Sequence, residues 1–120
     1  MNHFFRSSLI FDAYEKCTDE EKELIAIFNT VRHDNHIYFS KPIEYNHKIY
    51  GMSCMSIGFP KSVYESLKQI GVETYADAFV MAKYNINALL KIKGLGMKRI
   101  NQMLEDSLEE LISTRDKFKS

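Results

Sequence analysis

Cysteine is scarce in this chain. The 120 residues hold two, Cys17 and Cys54, and their spacing matches neither a metal-binding pair nor a redox pair. A reduced, cytoplasmic setting is therefore the expectation. Long apolar runs are missing too, and none approaches the roughly 18 residues of a membrane-spanning helix. The opening MNHFFRSSLIFDAYEK has too short an apolar run, and too early an acid, for a secretory leader. Net charge is also lacking: 16 Lys and Arg balance 16 Asp and Glu, which excludes a protein that is basic throughout. What remains is a 45% apolar composition, enough for a core without disulfide staples. The length suits one compact domain, or one domain with an N-terminal extension.

The zero balance hides an uneven distribution. Residues 1–60 carry six basic against eight acidic side chains, and residues 105–120 carry three against five. Between them, residues 61–104 carry seven basic side chains (Lys61, Lys68, Lys83, Lys91, Lys93, Lys98, Arg99) against three acidic ones (Glu65, Glu73, Asp77). A local basic patch on a neutral protein can hold a polyanion, although charge alone fits a solvated lysine face better.

The spacing of apolar residues predicts an α+β N-terminal region followed by a helical one. Ser7 or Ser8 can cap a short helix bearing Leu9, Ile10, Ala13, Tyr14 and Cys17. Thr18-Asp19-Glu20-Glu21 reads as a capping box opening a second helix, with Leu24, Ile27, Phe28 and Val31 at i, i+3, i+4, i+7. The β-branched and aromatic run that follows predicts a β-hairpin, with strands at about 36–40 and 43–51 and a break at Pro42. After a small, polar linker and Pro60 the texture becomes helical. The expected division is 1–58 for the α+β region and 59–120 for the helical module.

Four helices are expected in that module. The first carries Val63, Leu67 and Ile70 and ends at Gly71. Thr74 caps the second, with Ala78, Phe79 and Ala82 inward; Asn85 or Asn87 caps the third, with Leu89, Leu90 and Ile92 inward. The fourth starts near Gly96 and runs to about residue 113, with Ile100, Met103, Leu104, Leu108, Leu111 and Ile112 in helical period.

The join between the last two helices is the most informative stretch. Leu90-x-Ile92-x-Gly94-Leu95-Gly96-x-x-x-Ile100-x-x-Met103-Leu104 is a helix-hairpin-helix pattern. Gly94 can turn left-handed at no steric cost. Leu95 points back and pins the two helices, and Gly96 lets an external group approach the backbone. The first amides of the last helix then have no partner within it and can hold a phosphate oxygen, aided by the helix dipole. Lys93, Lys98 and Arg99 add charge around them.

Residues 59–112, 54 of the 120, resemble the C-terminal domain of the bacterial RNA polymerase alpha subunit. The likeness is carried by Ser66-Leu67-Lys68 with Gly71-Val72, by Thr74-Tyr75-Ala76-Asp77-Ala78, by Leu89 through Arg99, and by the acidic last helix. The resemblance implies a small helical domain that binds the DNA minor groove at A/T-rich sites and touches sigma factor and transcription regulators. It implies a DNA face made by an arginine and an asparagine on the first helix together with the glycine-lysine turn. Gly96 and Lys98 retain the turn. The arginine position falls on Ser62, beside Lys61, and the asparagine position on Glu65; the turn's own Asn and Ser are Gly94 and Arg99 here. Losing a groove-inserted arginine and gaining a carboxylate predict weak, salt-sensitive binding with little sequence preference.

Other constellations point nowhere in particular. His33, His36, His47 and Cys54 lack the paired spacing of a structural zinc site. Ser53 and Ser56 lie outside any nucleophile elbow. Tyr38, Phe39, Tyr45 and Tyr50 can stack on bases, but packing on neighbouring helices is their expected role. The expectation is a non-enzymatic accessory of transcription with no cofactor and no metal. It contacts DNA through Gly94, Gly96, Lys98, Arg99, Lys93, Lys61 and Ser62. The competing expectation is a protein-interaction module that mimics the alpha C-terminal domain and binds polymerase, sigma factor or a regulator without DNA. A stand-alone copy of such a module suits a bacterial cell or a phage.

Overall fold

The computed structural model describes residues 8–35 and 61–120. They form six helices: α1 (Ser8–Glu15), α2 (Asp19–Asn35), α3 (Lys61–Gln69), α4 (Tyr75–Tyr84), α5 (Ile86–Leu90) and α6 (Met97–Lys119). This corrects the expected α+β class, since 81% of the described residues are helical and none is in a strand. Every element that lines the core is a helix presenting apolar side chains three and four residues apart, so the core closes helix on helix. The expected strands at 36–40 and 43–51 lie outside the described residues.

The helix ends follow local rules. At the start of α2 the Thr18 amide donates to Glu21 Oε1 at 2.9 Å, and the Glu21 amide donates to the Thr18 hydroxyl at 3.1 Å. That reciprocal pair satisfies two amides the helix itself leaves open. A second box opens α4: the Asp77 amide donates to the Thr74 hydroxyl at 3.2 Å, and Asp77 Oδ2 accepts from Thr74 and Glu73 amides at 3.2 and 2.9 Å. At the end of α3, Gly71 adopts φ 95°. Its amide donates to Lys68 O at 3.0 Å, and the next amide, Val72, donates to Leu67 O at 2.9 Å. This is the Schellman arrangement that a left-handed glycine permits.

α4 occupies the centre. Every residue from Tyr75 to Ala82 is buried, as expected of a helix enclosed on all sides. α1 packs against it with Ile10 and Ala13, and Phe28 of α2 meets Tyr75 edge-to-face at 6.3 Å. α6 lies against α4 and α2 with a buried stripe of Ile100, Met103, Ser107, Leu111 and Thr114. The buried residues form one cluster that draws on α1 and α2 as well as on α3 to α6. Among the described residues, the buried Asn29 Nδ2, Ser107 Oγ and Thr114 Oγ1 have no hydrogen-bond partner.

Candidate functional site

The α5–α6 join is built from the inside out. Leu89 and Ile92 are buried, and Ile92 donates its amide to Leu89 O at 3.0 Å to close the end of α5. Leu95 is buried as well, with its amide on Ile92 O at 3.1 Å. Between them Gly94 has φ 91°, and a Cβ placed on it would stand 3.2 Å from Val63 Cγ2 of α3. The glycine is thus required twice, by a positive φ and by the close approach of α3. That approach brings the first turn of α3, with exposed Ser62, to the hairpin.

Gly96 plays the other role. It is the N-cap of α6 with φ −95° and ψ 178°, a conformation any residue can adopt, and a Cβ on it would meet nothing within 4 Å. Its side opens to solvent. The helix behind it begins without a side-chain cap and without an acid in its first turn. The first amide to find a helical acceptor is Ile100, on Gly96 O at 3.0 Å. The Met97, Lys98 and Arg99 amides therefore have no acceptor among the described residues. α2 and α4 are different, since each has a capping box and acids at its positive end. α6 instead puts Lys98 and Arg99 there, cations opposing the dipole.

The cations are disposed unequally. Lys91, Lys93 and Lys98 are exposed, and none of them takes part in an ion pair within the described residues. Arg99 is half-buried, and its Nη1 donates to Gly94 O at 2.9 Å. It thus braces the turn. Lys61 opens α3, but its side chain lies outside the described part. Glu65, at the position where the resemblance expects an asparagine, is exposed. Of the site residues expected from sequence, the structure brings Gly94, Gly96, Lys98, Arg99 and Lys93 into one turn and places Ser62 on the adjoining helix. Sequence reasoning missed the bond from Arg99 to Gly94. No spacing in the sequence signals it, since a flexible guanidinium has several acceptors within reach.

A second polar assembly lies between α2 and α4. Glu21 is buried and accepts from the Tyr84 hydroxyl and from Lys83, besides closing the Thr18 box. Burial pushes the Glu21 carboxyl up, but Lys83, Tyr84 and the Thr18 amide outweigh it and hold the group below its ordinary range. The same bonds raise Lys83 and Tyr84. Neighbouring Cys17 is pushed up to about 11, first by burial and then by Glu21, so its thiol stays protonated and unreactive at neutral pH. This assembly is an interhelical tie, saturated by its own members.

Among the described residues no group of three His, Cys, Asp or Glu is placed to hold a metal ion. The His36, His47 and Cys54 positions lie outside them. No helix among the described residues is long and apolar enough to cross a membrane. A scan against protein-family models, a search of curated proteins and a search of solved structures each returned no match to this chain.

Proposed function

We propose that the chain is a non-enzymatic DNA-binding protein of transcription whose hairpin holds the DNA backbone. The observation that carries this is the open mouth of α6: three amides with no acceptor among the described residues, behind a glycine with free space on its side. An oxyanion seated there would complete the cap that the sequence omits, and it would offset the unfavourable placement of Lys98 and Arg99 against the dipole. Lys93 and Lys98 supply phosphate contacts. The likeness of residues 59–112 to the polymerase alpha C-terminal domain supports the same reading, with Ser62 beside the turn. Phosphate contacts position a protein without reading sequence, so binding is weak, salt-sensitive and nearly indifferent to A/T content.

The test is a fluorescence titration with A/T-rich and G/C-rich duplexes at several salt concentrations. A Lys93→Glu, Lys98→Glu pair weakens binding about uniformly on both and lowers the steepness of the salt dependence by about one for each lysine lost. Arg99 is left intact in this design because it braces the turn. Binding equal to the parent at low salt would remove the reading. One observation favours a second reading: exposed Glu65 on α3 places a carboxylate where a DNA-reading side chain is expected. Under that reading the module docks on polymerase, sigma factor or a regulator. Co-purification with polymerase that survives nuclease treatment distinguishes it.

A further inference from the structure

The hairpin exposes two large apolar side chains that neither the turn nor the core requires. Leu90, the last residue of α5, is 43% exposed, and Met97, the first of α6, is 48% exposed. They flank the turn on its incoming and outgoing sides, interleaved with the exposed Lys91, Lys93 and Lys98, which form no ion pair within the described residues. Gly96, directly before Met97, leaves the backbone approachable.

We infer that Met97, with Leu90 across the turn, is a sugar-reading contact that makes this hairpin select DNA over RNA. The inference rests on the proposed reading of the hairpin as a backbone-binding site. The exposed lysines on both sides of the turn suit a polyanionic occupant. Amides and ammonium groups grip phosphate oxygens identically in both nucleic acids, so they cannot tell the two apart. The sugar beside a gripped phosphate is the next group within reach of a side chain in the same turn. Deoxyribose offers C–H surface there, whereas ribose offers a hydroxyl that is both donor and acceptor. A thioether gives no donor and only a weak acceptor, and an isobutyl group gives neither. Covering a 2′-hydroxyl with them removes its water without replacing the hydrogen bonds, which penalises RNA.

The experiment is anisotropy at low salt on the full chain, with a DNA duplex and the RNA duplex of the same sequence. The parent favours DNA by about tenfold, the effect of one unpaired buried hydroxyl. Met97→Ser, which places a hydrogen-bonding group at an exposed position, reduces that ratio to about twofold or less and leaves the DNA salt slope unchanged. Met97→Leu keeps the ratio. Because the two nucleic acids also differ in helical form, the change in ratio between variants is the readout. A Met97→Ser ratio equal to the parent's, with DNA still bound, overturns the inference and leaves the DNA reading standing. Absence of binding to either duplex overturns both. Met97-dependent binding to phosphatidylserine vesicles in place of nucleic acid also overturns it, assigning the apolar pair to a lipid surface.

Discussion

Two glycines one residue apart do opposite jobs, and substitutions separate them. Gly94 combines φ 91° with a 3.2 Å approach to Val63, so Gly94→Ala is expected to lose about 1–2 kcal/mol in urea denaturation. Gly96 has neither constraint. Gly96→Ser supplies the missing N-cap oxygen and should raise stability by a few tenths of a kcal/mol. The same oxygen occupies an amide the phosphate needs, so DNA affinity falls while stability rises. Equal or improved DNA binding by this variant would contradict the assignment of the amides. The glycines and the basic residues were legible in the sequence, because they depend on local backbone chemistry. The brace from Arg99 was not, since spacing does not say where a flexible guanidinium settles.

At the scale of elements, capping boxes placed the starts of α2 and α4, and left-handed glycines placed the turns. Asn85 precedes α5 without a side-chain cap bond. Thr18 with Glu21, Gly71, and Thr74 all act where their neighbours imply. Faces were read less well. α2 buries Leu24, Ile25 and Phe28 along with Glu21 and Asn29, while Ile27 and Val31 stay half-buried. The expected stripe was turned toward the edge because α2 meets both α4 and α6 and needs a wider buried face than one stripe gives. Leu90 was expected inward, but a helix of five residues cannot aim adjacent leucines the same way, and Leu89 takes the core. α6 runs on to Lys119, six residues past the expected end, because no glycine or proline stops it. The α2–α4 tie through Glu21 joins residues more than sixty apart and had no local signal. Its pH signature follows from a folded carboxyl held below the ordinary 4.5. A depressed pKa gives stability that is present above the unfolded value and lost as pH falls through the folded one. The parent should therefore lose stability below about pH 4.5, and Glu21→Gln should be less stable at neutral pH and flatter across that acid range. A parent and variant with parallel acid profiles would show that the tie contributes nothing.

The described residues share one helical core, and the sequence-based class failed at this scale. Alternating aromatic residues suggested strands, whereas the regular elements that line the core among the described residues are all helices. Because α1 and α2 cover α4 with Ile10, Ala13 and Phe28, a fragment starting at residue 59 should expose that face. It should give poorly dispersed amide spectra and no cooperative melt, whereas the full chain melts in one transition. A sharply folded fragment would show that the helical module stands without α1 and α2. Charge is likewise organised at this scale, with the basic turn at one end of α6 and Glu105, Asp106, Glu109 and Glu110 farther along it. On the proposed reading, such segregation would turn the hairpin toward a polyanion. The most direct measurement is a heteronuclear amide titration of the full chain with a DNA duplex at low salt. The Met97, Lys98 and Arg99 amides should show the largest shifts, saturating together and reversing with added salt. Shifts confined to other surfaces, with those three amides unmoved, would contradict the account.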